Sequence, residues 1–300
     1  MRNTKRFGSD AFFSDNQQSY RGIIVSVHFY KMQGCGNDFV LIDNRELGVP
    51  VEVMAEWACA ISPRAFRVGA DGVIFLENPP EGSEVDYIWH FYNADGSRAE
   101  MCGNASRCAA RLAARIGLAP ARHVLGTDAG PVQAEVDELS GRAKVQLTPP
   151  KNLQLGMKIT VAGTEFEVHH VDTGVPHTVL FYEDASSVDV AGLGRAIRFH
   201  EAFAPAGTNV NFVQVVSPER MELRTYERGV EAETLACGTG AAASVVVANA
   251  LGRSSARVEL RTTGKELLTI SLEDGDVFLE GSASFVYHGE FEPVDLGLTL

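Results

Sequence analysis

The chain has 300 residues, and 26 Lys and Arg stand against 39 Asp and Glu, a formal charge of -13 at pH 7. Hydrophobic residues make up 45% and charged residues 22%, enough apolar material for one large or two medium domains. The acidic balance opposes nonspecific binding to nucleic acid or an anionic membrane, and no window reaches the ~18 unbroken apolar residues of a membrane span.

Residues 1–27 read as a disordered or cloning-derived extension. Ser9, Asp10, Ser14, Asp15 and Asn16 interrupt any apolar run of the kind a signal peptide needs. The fold is expected to begin near His28. HFYKMQG leads through the turn GCGND (34–38) into the strand FVLID. Residues 51–61 have helical spacing, with Val53, Trp57 and Ile61 on one face and Cys59 expected as a small core residue. DGVIFLE and YIWHFYN read as strands, residues 106–118 as a helix stopped by Gly117 and Pro120, and PVQAEVDEL with AKVQLTP as a hairpin closing near Ser140-Gly141.

Pro149-Pro150 marks the boundary to a second series. Strands in EFEVHHVDTGVPHTVLFYE break at Gly174 and Pro176, VDVAGLGRAIRFH reads as a helix, and NVNFVQVVS and MELRTYERG as strands. Residues 237–252 have the small-residue texture of a buried helix, and RVELRTT, LLTISLED and VFLEGSASFVYHGEF close the chain as strands. The two series echo each other: strand, polar turn, Cys-Gly (Cys102-Gly103, then Cys237-Gly238), helix, hairpin. Duplication explains this better than coincidence. Five cysteines, odd in number and without a CxxC pair, argue for free thiols in a cytoplasmic chain and against disulfides or a zinc ribbon. The eight histidines are scattered, with His169-His170 adjacent rather than at ligand spacing, so no metal site is expected.

A helix start offers free amides and a positive dipole end, which favour a thiolate and bind a carboxylate. Small residues after each cysteine, Gly103-Asn104 and Gly238-Thr239-Gly240, leave those amides open. Two such units facing each other set two thiols on opposite sides of one ligand. That suits inversion of a carbon centre, with a base on one face and an acid on the other. No pyridoxal-phosphate lysine stands out, so no cofactor is expected, and amides aimed at the substrate carboxylate would stabilise the carbanion. Cys108 is expected to pack in the core, and Cys35, in a glycine turn, to be a spectator.

The motifs KMQGCGNDF (31–39), YNADGS (92–97), EMCGN (100–104), Pro176-His177, GTNVNF with Asn209, YERG (226–229) and ACGTG (236–240) occur in this order from residue 28 onward. In these the chain resembles the diaminopimelate epimerases, pyridoxal-phosphate-independent enzymes of lysine and cell-wall biosynthesis. The resemblance implies an α+β fold of two pseudo-symmetric duplicated domains, each a curved, mostly antiparallel sheet around a central helix, with the active site in the cleft between them. It implies halves at 28–148 and 149–287, with 288–300 returning to the first. It implies an acid–base pair of Cys102 and Cys237 interconverting L,L- and meso-2,6-diaminopimelate, with His177 and Glu227 beside the thiols. Substrate contacts are implied from Asn37, Asn93, Asn209, Glu227 and Arg228 and from the amides of Gly103, Asn104, Gly238 and Thr239. A homodimer is implied as well.

Three positions differ from a common family pattern: Val175 replaces an Asn before Pro-His, Ala105 a Gly, and Gly72 a Gln. Fewer side-chain contacts, or water, are therefore expected at the distal end of the substrate. Other readings of single residues stay open. Asn37, Asp38 and Asn93 also suit turns, His177 a solvated turn, and Arg228 a surface pair with Glu231 or Glu233. A racemase of another amino acid on the same scaffold, and a noncatalytic binding protein or thiol redox sensor, are the competing functions. The last lacks the GxGxxG spacing and P-loop lysine of a nucleotide site.

Overall fold

A computed structural model describes residues 26–299. The expected extension lies outside the described residues except at its end. There Val27 already belongs to the first strand and is buried opposite Phe291.

The first series folds as β1 (Val27–Gly34), β2 (Asn37–Asp43), α1 (Val51–Ile61), β3 (Gly72–Glu77), β4 (Tyr87–Asn93), α2 (Gly103–Arg115), β5 (Arg122–Thr127), β6 (Gly130–Asp137) and β7 (Arg142–Gln146). The second folds as β8 (Lys151–Val161), β9 (Thr164–Asp172), β10 (Pro176–Phe181), α3 (Val190–Arg198), β11 (Asn209–Ser217), β12 (Arg220–Glu227), β13 (Ala232–Thr234), α4 (Gly238–Ala250), β14 (Arg257–Thr262), β15 (Leu267–Glu273) and β16 (Asp276–Ser282), and β17 (Ser284–Phe291) follows.

The strand pairings repeat. From β1 to β7, successive neighbours pair antiparallel, parallel, antiparallel, parallel, antiparallel, antiparallel. From β9 to β16, with the short β13 set aside, the same order recurs. The chain changes halves twice. After β7 it enters β8, which pairs with β9; after β16 it enters β17, which pairs with β1. An antiparallel β7–β16 pairing sews the halves into one mixed sheet.

Each half wraps a central helix, α2 or α4. Eight of the 13 residues of α4 are buried, and its Ala and Val run follows from enclosure on every side. Both central helices contribute to one apolar core, while α1 and α3 pack on the outside over two smaller cores. Cys108 lies in the central core. Cys59 does not: it sits on the outer face of α1 and is exposed, because Met54, Trp57, Ala58 and Ile61 form the buried stripe. Helix α2 starts at Gly103 rather than near Ser106, since a glycine at the first position hides the start from a propensity reading. The chain read as one strand over 277–291 breaks at buried Ala283, where it changes halves. No helix among the described residues is long and apolar enough to cross a membrane.

Candidate active site

Cys102 and Cys237 occupy the same place in the two halves. Each is the N-cap of a 13-residue central helix, extended in backbone (φ -150 and -130) and followed by glycine. A Cβ on Gly103 would lie 2.8 Å from Leu279 Cδ2, and one on Gly238 would lie 2.9 Å from the same methyl. Both helix starts therefore abut one side chain of β16, and a Cβ at either glycine would have to push its methyl aside.

Between the helix starts lies a cleft of about 650 Å³, walled by residues of both halves. Asn37, Cys102, Gly103 and Asn104 line it from one side, and Glu227, Cys237, Gly238 and Thr239 from the other. Asn93, His177, Asn209 and Arg228 stand outside this wall. Asn93 is exposed and donates to Ser97 Oγ (3.0 Å). Asn209 is buried, accepts the Arg228 backbone N–H (2.7 Å) and donates to the Pro176 carbonyl (3.2 Å). The Arg228 side chain donates to the Ala206 carbonyl (3.1 Å), and Glu231 and Glu233 are held instead by Arg198 and Arg224.

His177 is fully buried, not in a solvated turn. Its Nε2 lies 2.9 Å from Thr239 Oγ1, which lies 3.4 Å from Cys237 Sγ. Burial holds the imidazole neutral, down to about 3, with His170 and Arg228 adding to the effect.

On the Cys102 side, Asn37 Nδ2 donates to Asp71 (2.7 Å), leaving Oδ1 toward the Cys102 thiol (3.9 Å) and the Asn104 amide (3.4 Å). Asp38, which burial would push up, is held at about 2 by hydrogen bonds from Arg64 and Lys31. Asn37 and Asp38 are thus parts of a charged network and not only of a turn. Cys35, at φ +57 between β1 and β2, also lines the cleft.

Residue-by-residue reading missed Arg107. It is fully buried, with Nη1 donating to the Gly103 carbonyl (3.2 Å) and Nη2 to Asn104 Oδ1 (2.9 Å) and Cys35 Sγ (3.3 Å). Among the described residues no carboxylate forms an ion pair with it. Its signal was an arginine on the apolar stripe of an alanine-rich helix, five residues after the cysteine.

Both thiols are raised, contrary to the expectation from the helix ends. For Cys102 burial dominates, while the Ala105 and Asn104 amides and Arg107 pull the other way. Cys237 is pushed up to about 12, first by burial and then by Glu227, against the Thr239 hydroxyl and the Gly240 amide. Desolvation of a small anion outweighs a few amide dipoles when no ligand is bound. Glu227 is itself raised by burial. Gly72 opens β3 where a Cβ would lie 2.6 Å from the Phe91 ring, so its lack of a side chain is a packing requirement.

The sequence profile of the family described as "Diaminopimelate epimerase" matches residues 29–153 and 169–286. The chain belongs to the diaminopimelate epimerase family. The Diaminopimelate epimerase of Aquifex aeolicus (strain VF5) is 47% identical over 275 residues, 88% of this chain and 97% of that protein. That of Hydrogenobaculum sp. (strain Y04AAS1) is 46% identical over 268 residues, 86% and 96% respectively. Among solved structures, a Bacillus anthracis phenazine biosynthesis protein of the PhzF family superposes with a TM-score of 0.65 at 13% identity, covering 89% of this chain and 99% of that one. An Agrobacterium vitis hydroxyproline epimerase superposes at 0.60 and 16% identity, covering 92% and 96%. These two similarities establish the shared duplicated α+β fold. Membership in the diaminopimelate epimerase family makes the protein an isomerase of the pyridoxal-phosphate-independent, cysteine-based epimerase class. The family's activity is interconversion of L,L- and meso-diaminopimelate in lysine and peptidoglycan-precursor biosynthesis.

Proposed function

We propose that this chain interconverts L,L- and meso-2,6-diaminopimelate through Cys102 and Cys237, each serving as base for one stereoisomer and as acid for the other. The observation that carries this reading is the pair of sulfurs, each an N-cap of a matched helix, on one cleft. The carboxylate at the reacting carbon rests on the amides of Gly103, Asn104, Gly238 and Thr239, where helix-start N–H groups meet negative charge. One sulfur, as thiolate, takes the Cα proton. The electron pair left on carbon is delocalised into the carboxylate, whose added charge those amides oppose. The other sulfur, as thiol, delivers its proton to the opposite face, and the centre is inverted.

His177 and Glu227 assist from beside the sulfurs. Asn37, Asn93, Asn209, Glu227 and Arg228 read the second amino-acid head, with Arg228 as the cation for its carboxylate. Closure of the two halves brings Asn93, Asn209 and Arg228 onto the substrate and excludes water. The division falls near residues 148/149, with the last strand serving the first half. The chain works in the cytoplasm, as a homodimer.

The test is stereochemical interconversion of synthetic diaminopimelate in reductant, with α-hydrogen exchange from deuterated water across a panel of amino acids. Interconversion that is lost in both Cys102→Ala and Cys237→Ala is expected. Exchange only with a simple amino acid, or normal turnover in either variant, overturns the proposal.

A further inference from the structure

The Cys237 side carries a polar chain that its counterpart lacks. Asn211, on β11, is fully buried. Its Oδ1 accepts from Thr225 Oγ1 (3.0 Å), while its Nδ2 donates to the Thr178 carbonyl (3.2 Å) and faces His177 Nδ1 (3.0 Å). A carbonyl and a hydroxyl proton together fix which end of the amide is nitrogen, since reversing it would set oxygen against oxygen. His177 Nδ1 therefore accepts. In the neutral ring the proton is then on Nε2, which donates to Thr239 Oγ1. Thr239, having accepted, has one hydrogen left, and the sulfur of Cys237 lies in reach of it at 3.4 Å. The Gly240 amide donates to the same sulfur, also at 3.4 Å.

The duplicated fold supplies an internal control. His177 pairs with Asn209 at the start of β11, and Asn211 pairs with Thr225. In the first half Phe39 pairs with Gly72 at the start of β3, and Ile74 pairs with Phe91. The counterparts of His177, Asn211 and Thr225 are thus Phe39, Ile74 and Phe91, all buried and apolar. The fold therefore builds these three positions without a polar side chain. Burying three polar groups costs desolvation that the apolar version avoids.

We propose that Asn211 holds His177 as the Nε2–H tautomer so that the Thr239 hydroxyl donates to the Cys237 sulfur and stabilises its thiolate. The proposal rests on Cys237 being one of the two reacting sulfurs. Thr239 touches that sulfur; Asn211 and His177 are positioning residues. The charged and titratable groups around the chain are Glu227 and Cys102 toward the sulfur, and His170 and Arg228 toward the imidazole.

The test is the pH dependence of Cys237 alkylation by iodoacetamide, read peptide by peptide by mass spectrometry, with Cys102 as internal reference. In Thr239→Val the Cys237 midpoint is expected to rise by about one unit, a tenfold slower reaction below it, while Thr239→Ser restores the original profile. Asn211→Asp accepts the Nδ1–H, so the ring switches to the Nδ1–H tautomer without moving and Nε2 becomes an acceptor of the Thr239 hydrogen. It is therefore expected to slow Cys237 like Thr239→Val without touching the sulfur. Nitrogen-15 shifts of His177 should report Nε2–H in the unaltered protein. An unshifted Cys237 profile in folded Thr239→Val, an equal shift at Cys102, or an Nδ1–H ring each overturns the proposal. Activity of Cys237→Ala judges the underlying assignment separately, since it is silent on the relay.

Discussion

Replacing Gly238 with alanine tests whether the two halves meet at a single contact. The new Cβ would lie 2.9 Å from Leu279 Cδ2, against the roughly 3.5–4.0 Å of a carbon–carbon contact, so about 0.6–1.1 Å must be found. Leu279 is fully buried, and Gly103 approaches the same methyl from the other helix, so the methyl cannot retreat freely. Overpacking of this kind costs about 1–3 kcal/mol, and the better helix propensity of alanine returns up to about 1. Net destabilisation of roughly 0–3 kcal/mol is expected by urea unfolding. Activity should suffer more. The shift falls on the residue beside Cys237, and misplacing a reacting group by about 1 Å costs on the order of 100-fold in turnover. Adding Leu279→Val removes the crowded methyl and should recover much of kcat, despite a cavity penalty of about 1 kcal/mol. Unchanged kcat in Gly238→Ala, or no recovery in the double variant, would refute the shared-contact account.

Oxidation joining Cys102 to Cys237 should abolish turnover and reductant restore it; mass spectrometry of the linked peptides checks that bond. Because both thiols are raised, the pair is fully protonated at neutral pH, and losing one proton creates the active form. Activity, followed as kcat/KM, should therefore still be climbing at the ordinary thiol value of 9.0 and fall only when the second proton leaves. His177, lowered to about 3 by burial, takes no proton in the native state where the unfolded chain does, below the ordinary imidazole value of 6.5. Stability should thus be full above that value and fall as pH drops, by about 2 kcal/mol between about pH 6.5 and 5, a slope that His177→Gln removes in urea titrations.

Much of the architecture was legible because it rests on local patterns. The apolar stripe of α1 set its bounds at Val51 and Ile61, and the Cys-Gly starts of α2 and α4 announced the duplication. What escaped depends on register between distant strands. Nothing near Asn211 in the sequence says that it faces His177, and nothing near Leu279 says that two glycines meet it. Strand β8 was missed because seven of its first eight residues are exposed, so it shows no alternation of buried and solvated positions. Cys59 was misread because one helical stripe can be drawn one residue off. The cysteine pKa values needed the buried volume around the sulfurs, which helix starts alone do not convey.

The duplication also shows where the two sulfurs differ, and that difference predicts which reacts first. Counting five residues on from each cysteine gives Arg107 in α2 and Ala242 in α4, both fully buried. The last residues of the matching strands β4 and β12 are Asn93 and Glu227. The first half thus carries a buried cation where the second has an alanine, and the second carries a carboxylate where the first has an asparagine. Arg107 lowers Cys102, whereas Glu227 is the largest influence on Cys237 after burial. A reaction that needs one sulfur charged and its partner protonated is served by such a bias, because the first proton to leave the pair then leaves from a defined side. With limiting iodoacetamide, Cys102 should be labelled before Cys237. Arg107→Met should slow Cys102 about tenfold for each unit its midpoint rises and leave Cys237 unchanged. Asn93→Asp, which makes the first half resemble the second, should act in the same direction. Labelling of Cys237 first, or indifference of Cys102 to the loss of Arg107, would mean that the unequal charges do not decide which sulfur ionises first. The order of proton transfer would then be fixed by the substrate alone.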